Sequence, residues 1–100
     1  MDTDYAKAAY WFLASAKQGY VAAQLALGEI NMDYEDFAEA YFWLSVGTAT
    51  AEADSRKDIQ SLRKKRDEAA AHLSAAGLAL AQERVRKWSK EGHTPKPLVR

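Results

Sequence analysis

The stretch DYAKAAYWF at residues 4–12 decides the fold, because the related stretch DFAEAYFWL follows at residues 36–44. At this offset four of the nine positions are identical and three more are conservative replacements. Average composition would give roughly one identity over such a length. In each copy an alanine (Ala8, Ala40) lies three positions before a tryptophan (Trp11, Trp43), so both share a helix face that a neighbouring helix can approach closely. The chain therefore contains two copies of one helical unit.

The composition indicates a single all-α domain. The chain has 100 residues, of which 48% are hydrophobic. A chain of this length is too short for two independent cores. Proline occurs only at Pro95 and Pro97 while helix-forming residues dominate, so we expect helices over most of residues 4–91 and no strands. No apolar run approaches the roughly 20 residues of a membrane span, and the acidic start does not resemble a signal peptide. These features predict a soluble chain without a membrane partner, and they leave cytoplasm and periplasm open.

Caps and helix breakers predict five helices. Gly19 is placed to end the first helix, and Gly92 to end the last. Asp36 followed by Glu39 is an N-cap signature for the third helix, Ser55 followed by Asp58 repeats it for the fourth, and Ser74 is a plausible cap for the fifth. The predicted helices cover residues 4–18, 21–31, 36–48, 55–73 and 74–91.

The first copy resembles the SEL-like repeat, a relative of the tetratricopeptide repeat that folds as paired antiparallel helices. The resemblance lies in the order of Lys7–Phe12, Ser15–Gly19, Ala23–Gln24 and Leu27–Gly28. Residues 38–45 look like the last repeat of such an array, and residues 73–88 resemble the helix that closes one. The resemblance implies an α/α superhelix with hairpins 4–31 and 36–73 and a capping helix 74–91, together forming a domain over residues 1–92. It also suggests a bacterial origin, and residues 93–100 are expected to form an extended tail.

The second copy departs from the family pattern. The usual glycine-rich turn between repeats is reduced to Met32–Glu35, and the small pair expected after Trp43 reads Gly47–Thr48. The following loop, placed at residues 49–54, lacks the expected glycine. We therefore expect a degenerate second hairpin. Gly28 lies inside a helix at a cost of roughly 1 kcal/mol against alanine, which predicts close contact with Trp11 or Trp43.

The resemblance implies a non-catalytic scaffold whose concave face holds a peptide or a partner helix. We expect one face of the first helix to point into the packed hairpins, namely Ala8, Trp11, Phe12 and Ala16. A different stripe of each copy then faces the partner. The two aromatic residues of this stripe are candidate anchors, because aromatics often carry much of an interface's energy. The alternative is that they are ordinary packing between hairpins. The candidate partner-binding residues are Lys7, Tyr10, Ala14, Lys17, Glu39, Phe42 and Val46.

The first helix is apolar around nearly its whole circumference. Between Tyr5 and Ala16 only Lys7 and Ser15 are polar, and such a helix is usually covered on more than one side. A preceding repeat, a second copy of the chain or the partner could provide that cover, since repeat arrays need polar caps at both ends. We expect a homodimer through Tyr5, Ala9 and Leu13.

Charge is divided between the two halves of the chain. Residues 1–54 hold nine acidic and two basic residues, whereas residues 55–100 hold five acidic and twelve basic ones, which gives −7 and +7. Such a division can mean contact between the halves, head-to-tail association, a basic face for an acidic partner, or solvated helix faces. The basic fourth helix is the basis of an alternative function, an accessory nucleic-acid-binding module. That alternative is weaker, because no aromatic residue accompanies the cluster Arg56, Lys57, Arg63, Lys64, Lys65 and Arg66.

No pattern of catalytic or cofactor-binding residues is present. His72 and His93 are the only histidines, and the chain has no cysteine, so zinc motifs and catalytic triads lack their parts. The acidic residues near Asp36 are explained by helix capping and the helix dipole. They lack the glycine and glutamate of a calcium loop, and no glycine-rich phosphate loop occurs. We therefore expect no enzyme activity, metal or cofactor, and a protein or peptide as the partner.

Overall fold

The computed structural model describes the backbone of residues 3–53 and 59–91, and the side chains of residues 7, 8, 10–51 and 59–91. This part of the chain is helical throughout, apart from short turns between the helices, which confirms the all-α fold. Its helices are α1 (Thr3–Lys17), α2 (Val21–Asp33), α3 (Phe37–Ala53), α4 (Ile59–Ala71) and α5 (Ala75–Lys90).

Helix α3 is the centre of the packing. It contacts α2, α4 and α5, while α1 packs on α2. Only residues 18–20 connect α1 with α2, so these two packed helices run antiparallel as a hairpin. Helix α1 reaches α3 through side chains, since Phe12 and Leu13 pack on the core cluster that contains Phe42 and Trp43.

The main core lies where α1, α2 and α3 meet and is closed by α5. Its buried residues are aromatic or aliphatic, and Phe12, Leu13, Val85 and Trp88 pack against them from α1 and α5. Two smaller clusters join α2 and α3 to α4, the first built on Leu62 and the second on Leu44. The buried residues of the main core are Ala16, Ala23, Leu27, Phe42, Trp43 and Val46.

Several predicted helix ends are confirmed. Gly19 adopts a positive φ of 96° directly after α1, the conformation that favours glycine. The Asp36 carboxylate accepts a hydrogen bond from the Glu39 amide at 3.4 Å, and the Ser74 hydroxyl accepts one from the Gly77 amide at 3.0 Å. The cap predicted at Ser55 and the tail 93–100 lie outside the described residues.

The predicted end of α3 is wrong. The helix continues past Thr48 through Ala53, so most of the loop placed at residues 49–54 is helical. Thr48 and Thr50 donate their hydroxyl protons to the carbonyl oxygens of Leu44 (2.7 Å) and Val46 (3.0 Å), one turn earlier. These bonds satisfy the hydroxyls inside a buried helix, where sequence rules expect a break.

Two predicted side-chain contacts also need correction. Trp11 is 69% exposed and does not point into the stack, whereas its counterpart Trp43 is 4% exposed. Trp43 is buried because the hairpin α1–α2 precedes it, and no described helix stands in that position relative to Trp11. Gly28 does make a close helix contact, but its neighbour is Leu44 and neither tryptophan.

Candidate functional site

Helices α1, α3 and α5, together with the C-terminal half of α2, form a groove composed of two neighbouring clefts. The first, the Tyr10 cleft, has a volume of about 400 Å³ and the second, the Trp88 cleft, about 350 Å³. Leu13, Glu39 and Trp43 line both clefts, so the two clefts are adjacent. The Tyr10 cleft is completed by Tyr10, Leu27, Ile30, Asn31 and Tyr34, and the Trp88 cleft by Lys17, Phe42, Arg84, Lys87, Trp88 and Glu91.

The two clefts share one construction. In the first, Tyr10 of α1 lies beside Glu39 and Trp43 of α3, which are four positions apart on one helix face. In the second, Phe42 of α3 lies beside Arg84 and Trp88 of α5, which have the same spacing. Tyr10 and Phe42 are also the matching residues of the two sequence copies. The two clefts thus share this arrangement of side chains, although α1 packs mainly on α2 whereas α5 packs directly on α3.

An aromatic cluster forms the floor of the Trp88 cleft. Phe42, Trp43 and Trp88 meet edge to face, with ring centroids 4.9 to 5.6 Å apart. Each such pair contributes about 0.5–1.5 kcal/mol beyond the area that it buries. Because Phe42 and Trp43 are only 4% exposed, the floor is held rigidly by the core below it.

A single arginine crosses the boundary between the clefts. The guanidinium of Arg84 donates a hydrogen bond from Nη1 to Glu39 Oε2 at 2.7 Å, and its Cζ lies 4.1 Å from the centroid of the Phe42 ring. This geometry combines an ion pair with a cation–π contact. The Glu39 carboxylate is therefore neutralised within the groove.

The remaining cations of the Trp88 cleft have no ion-pair partner among the described residues. Lys17 and Lys87 are both exposed and both line this cleft. Glu91 lines it as well. With Arg84 and Glu39 paired to each other, the Trp88 cleft carries a small positive excess at its rim above an apolar floor.

The structure brings four of the seven candidate partner-binding residues into the groove, namely Tyr10, Lys17, Glu39 and Phe42. Tyr10 is 69% exposed and accessible. Phe42 and Val46 are buried in the core, which favours the packing interpretation of Phe42 over its role as an anchor. Lys7 is exposed and Ala14 half-buried, and neither lines a cleft.

The predicted dimer face is only partly described. The side chains of Tyr5 and Ala9 lie outside the described residues, and Leu13 is half-buried, packs on the core and lines both clefts. Trp11, which was assigned to the interior, is the residue of α1 that presents a large aromatic surface to solvent beside Tyr10.

The sequence predicts α5 only as a capping helix and does not reveal its contribution to the groove. Arg84, Lys87 and Trp88 supply one wall of the groove. The signal was the spacing of Arg84 and Trp88, which matches that of Glu39 and Trp43. This matching spacing is hard to detect in the sequence, because the residues between Arg84 and Trp88 do not resemble those between Glu39 and Trp43.

The basic helix α4 presents mixed charge. Lys65 pairs with Glu29 of α2, and Arg66 pairs with Asp67. Arg63 and Lys64 line an open depression that Asp67 and Glu68 also line. Arg56 and Lys57 lie outside the described residues. The described part of α4 therefore offers no uniformly positive surface.

Two further observations concern metal and membrane sites in the described part of the chain. Residues 3–53 and 59–91 bring together no group of three or more acidic or histidine side chains that could hold a metal ion. None of the described helices is long and apolar enough to cross a membrane.

His72 stacks on Phe37, with ring centroids 3.9 Å apart and an angle of 8° between the rings.

No protein-family model matches the chain, and no curated protein or solved structure matches it either. The likeness to SEL-like repeats consequently stays a prediction that rests on the residues quoted above.

Proposed function

We propose that the chain is a protein-interaction module of SEL-like repeat type, whose groove between α1, α3 and α5 binds a peptide or a helix of another protein. The observation that carries the proposal is the repeated construction of the Tyr10 and Trp88 clefts. Two neighbouring apolar depressions suit an extended or helical ligand that inserts two side chains. This module is non-catalytic in our proposal.

The energetics of the groove support such binding. The floor is pre-formed by buried aromatic residues, so little ordering cost falls on the module when a ligand enters. Tyr10 and Trp88 add an accessible or half-exposed aromatic wall to each cleft, and aromatic side chains are enriched among residues that dominate binding energy. The paired Arg84 and Glu39 between the clefts leave no isolated charge at the centre of the interface.

The experiment is a selection of peptides from a random display library on the full chain, followed by titration of the selected peptides. Tyr10→Ala should weaken their binding by about tenfold or more, as expected for an interface hot spot. Because Tyr10 is 69% exposed, this change leaves the fold intact, which circular dichroism would verify. Tyr20→Ala is the matched control, since Tyr20 is 45% exposed and lines neither cleft.

Equal affinity of the Tyr10→Ala and parent proteins for every selected peptide would refute the groove as the binding site. The salt dependence provides a second readout. Binding in an aromatic groove should change only a few-fold between 50 and 200 mM salt, whereas binding of nucleic acid to the α4 cations would fall by orders of magnitude.

A further inference from the structure

The two ends of the groove differ in charge. The Tyr10 cleft contains the phenol groups of Tyr10 and Tyr34 and the amide of Asn31, with Glu39 as its one ionisable carboxylate. The turn that follows Tyr34 continues with the exposed Glu35 and Asp36. The Trp88 cleft, in contrast, holds every cation of the groove. A bound peptide therefore meets an electrostatic gradient along its length.

The unpaired cations of this gradient are Lys17 and Lys87. Each occupies the last turn of its helix, Lys17 in α1 and Lys87 in α5. Attraction to the helix dipole favours a lysine at such positions, but it leaves the three donors of the ammonium group available. Both side chains border the apolar pocket formed by Leu13, Phe42 and Trp88.

We propose that the Trp88 cleft selects an acidic peptide, in which a bulky apolar side chain fills the pocket and a neighbouring carboxylate lies between Lys17 and Lys87. This inference rests on the proposed function and specifies its ligand. The charges of the cleft favour such a ligand, because with Glu39 held by Arg84 the cleft retains two unpaired ammonium groups against the one carboxylate of Glu91. A basic peptide would meet those ammonium groups without compensation.

A peptide is favoured over a phosphate ligand by the surroundings of the lysines. The walls between them are aromatic and aliphatic side chains, and the only guanidinium in the cleft is already paired with Glu39. Phosphate sites in proteins usually combine arginine forks or backbone N–H groups with the lysine. The cleft instead offers a large apolar contact beside isolated lysines, which suits an amphipathic peptide.

The test is a charge reversal with a matched control. The same display library is panned on the parent chain, on Lys17→Glu/Lys87→Glu and on Lys64→Glu/Lys90→Glu. The control changes net charge equally, and Lys90 also lies in the last turn of α5, but neither of its residues lines the groove. All four lysines are at the surface, so the variants should fold like the parent, which circular dichroism checks first.

We expect the parent and control pools to be enriched in Asp and Glu next to a bulky apolar residue, and the Lys17→Glu/Lys87→Glu pool to be enriched in Lys and Arg. A synthetic acidic peptide from the parent pool should bind the reversed variant at least about tenfold more weakly, because two attractive pairs become repulsive. The same peptide should bind the control variant within about twofold of the parent.

Three other results would overturn the inference, and they are distinguishable. If the three proteins select peptides of the same average charge, and those peptides bind Tyr10→Ala more weakly than the parent, the acidic preference is overturned and the proposed groove stays in place. If the selected peptides bind Tyr10→Ala as tightly as they bind the parent, the proposed function itself is overturned. Tighter binding of a twelve-residue oligothymidylate than of the acidic peptide to the parent, with both lost in the reversed variant, would identify the lysines as a phosphate site instead.

Discussion

At the scale of single residues, the contact between α2 and α3 depends on Gly28. A Cβ atom placed on Gly28 would lie 2.5 Å from Cδ2 and 2.6 Å from Cγ of Leu44, well inside van der Waals contact. Leu44 is fully buried, so it has little room to move away. The glycine is thus required by the approach of the two helices, which outweighs its low helix propensity.

Gly28→Ala should therefore destabilise the fold although alanine is the better helix former. Overpacking costs roughly 1–3 kcal/mol and the gain in helix propensity is about 1 kcal/mol, so we expect a net loss of about 1 kcal/mol in thermal or urea unfolding. Gly28→Leu should lose considerably more. A Gly28→Ala protein as stable as the parent would show that the two helices can separate without cost.

Gly47→Ala is the internal control for this experiment. Its added Cβ would lie 3.4 Å from Gln24 Cβ, at the edge of ordinary contact. The same substitution in the neighbouring helix should therefore be neutral or stabilising by up to about 1 kcal/mol. A loss at Gly47 equal to that at Gly28 would indicate that packing space does not distinguish the two positions.

The candidate site could be predicted only in part at this scale. Helix periodicity predicts Tyr10 and Lys17 on one stripe of α1 and Glu39 on the equivalent stripe of α3, and the structure brings all three to the groove. The same periodicity could not tell that Phe42 is covered, because its cover is Trp88, 46 positions further along the chain. Burial at a position depends on the elements that pack over it, and one helix's pattern does not contain that information.

At the scale of secondary-structure elements, α5 is positioned by its N-cap. The Ser74 hydroxyl accepts the Gly77 amide hydrogen bond at 3.0 Å and thereby satisfies one of the free N–H groups at the helix start. Because α5 supplies Arg84, Lys87 and Trp88, the cap also fixes one wall of the groove. Loss of the cap should affect stability and ligand binding together.

Ser74→Ala should cost about 1 kcal/mol of unfolding free energy, which corresponds to a decrease of roughly 4–8 °C in Tm for a domain of this size. Ser89→Ala in the exposed last turn of the same helix is the control, and it should change Tm little. Ser74→Asp retains a capping oxygen and should restore most of the loss. Equal Tm values for Ser74→Ala and the parent would mean that the cap contributes nothing.

Helix starts and ends were predictable where a side chain or glycine marks them, and not elsewhere. Gly19, Asp36 and Ser74 each act locally, so their roles follow from sequence. The end of α3 did not follow, because a threonine can either interrupt a helix or bond back to the preceding turn as Thr48 and Thr50 do, and the local pattern does not distinguish the two. Tertiary burial decides whether such residues end a helix or lie inside it.

At the scale of the whole molecule, the divided charge of the chain is partly used inside it. The acidic first half meets the basic second half through Lys65 with Glu29 and Arg84 with Glu39. Both pairs are substantially exposed, and exposed pairs of this kind contribute about 0–1 kcal/mol each. They orient α4 and α5 against α2 and α3 more than they stabilise the fold, which rests on the aromatic core.

The exposed aromatic residues of α1 make a prediction about association. Tyr10 and Trp11 are each 69% exposed, and aromatic side chains bury roughly 150–250 Å² each when covered. Two copies meeting through these residues would therefore bury on the order of 800 Å², less than the 1,200 Å² typical of stable interfaces. We expect a weak homodimer, visible as a rise in mass with concentration by light scattering.

Trp11→Ser should give a monomer at every concentration, because it removes half of the exposed aromatic surface that the two copies would share. The variant should still fold and keep its groove, since Trp11 lines neither cleft and is not part of the core. Leu80→Ser is the control, since Leu80 is 71% exposed on α5 and is equally apolar. If Leu80→Ser abolishes association and Trp11→Ser does not, the surface through which two copies associate lies on α5. A constant monomer mass for the parent chain would mean that two exposed aromatics are too little surface for self-association, and that α1 is available for another partner.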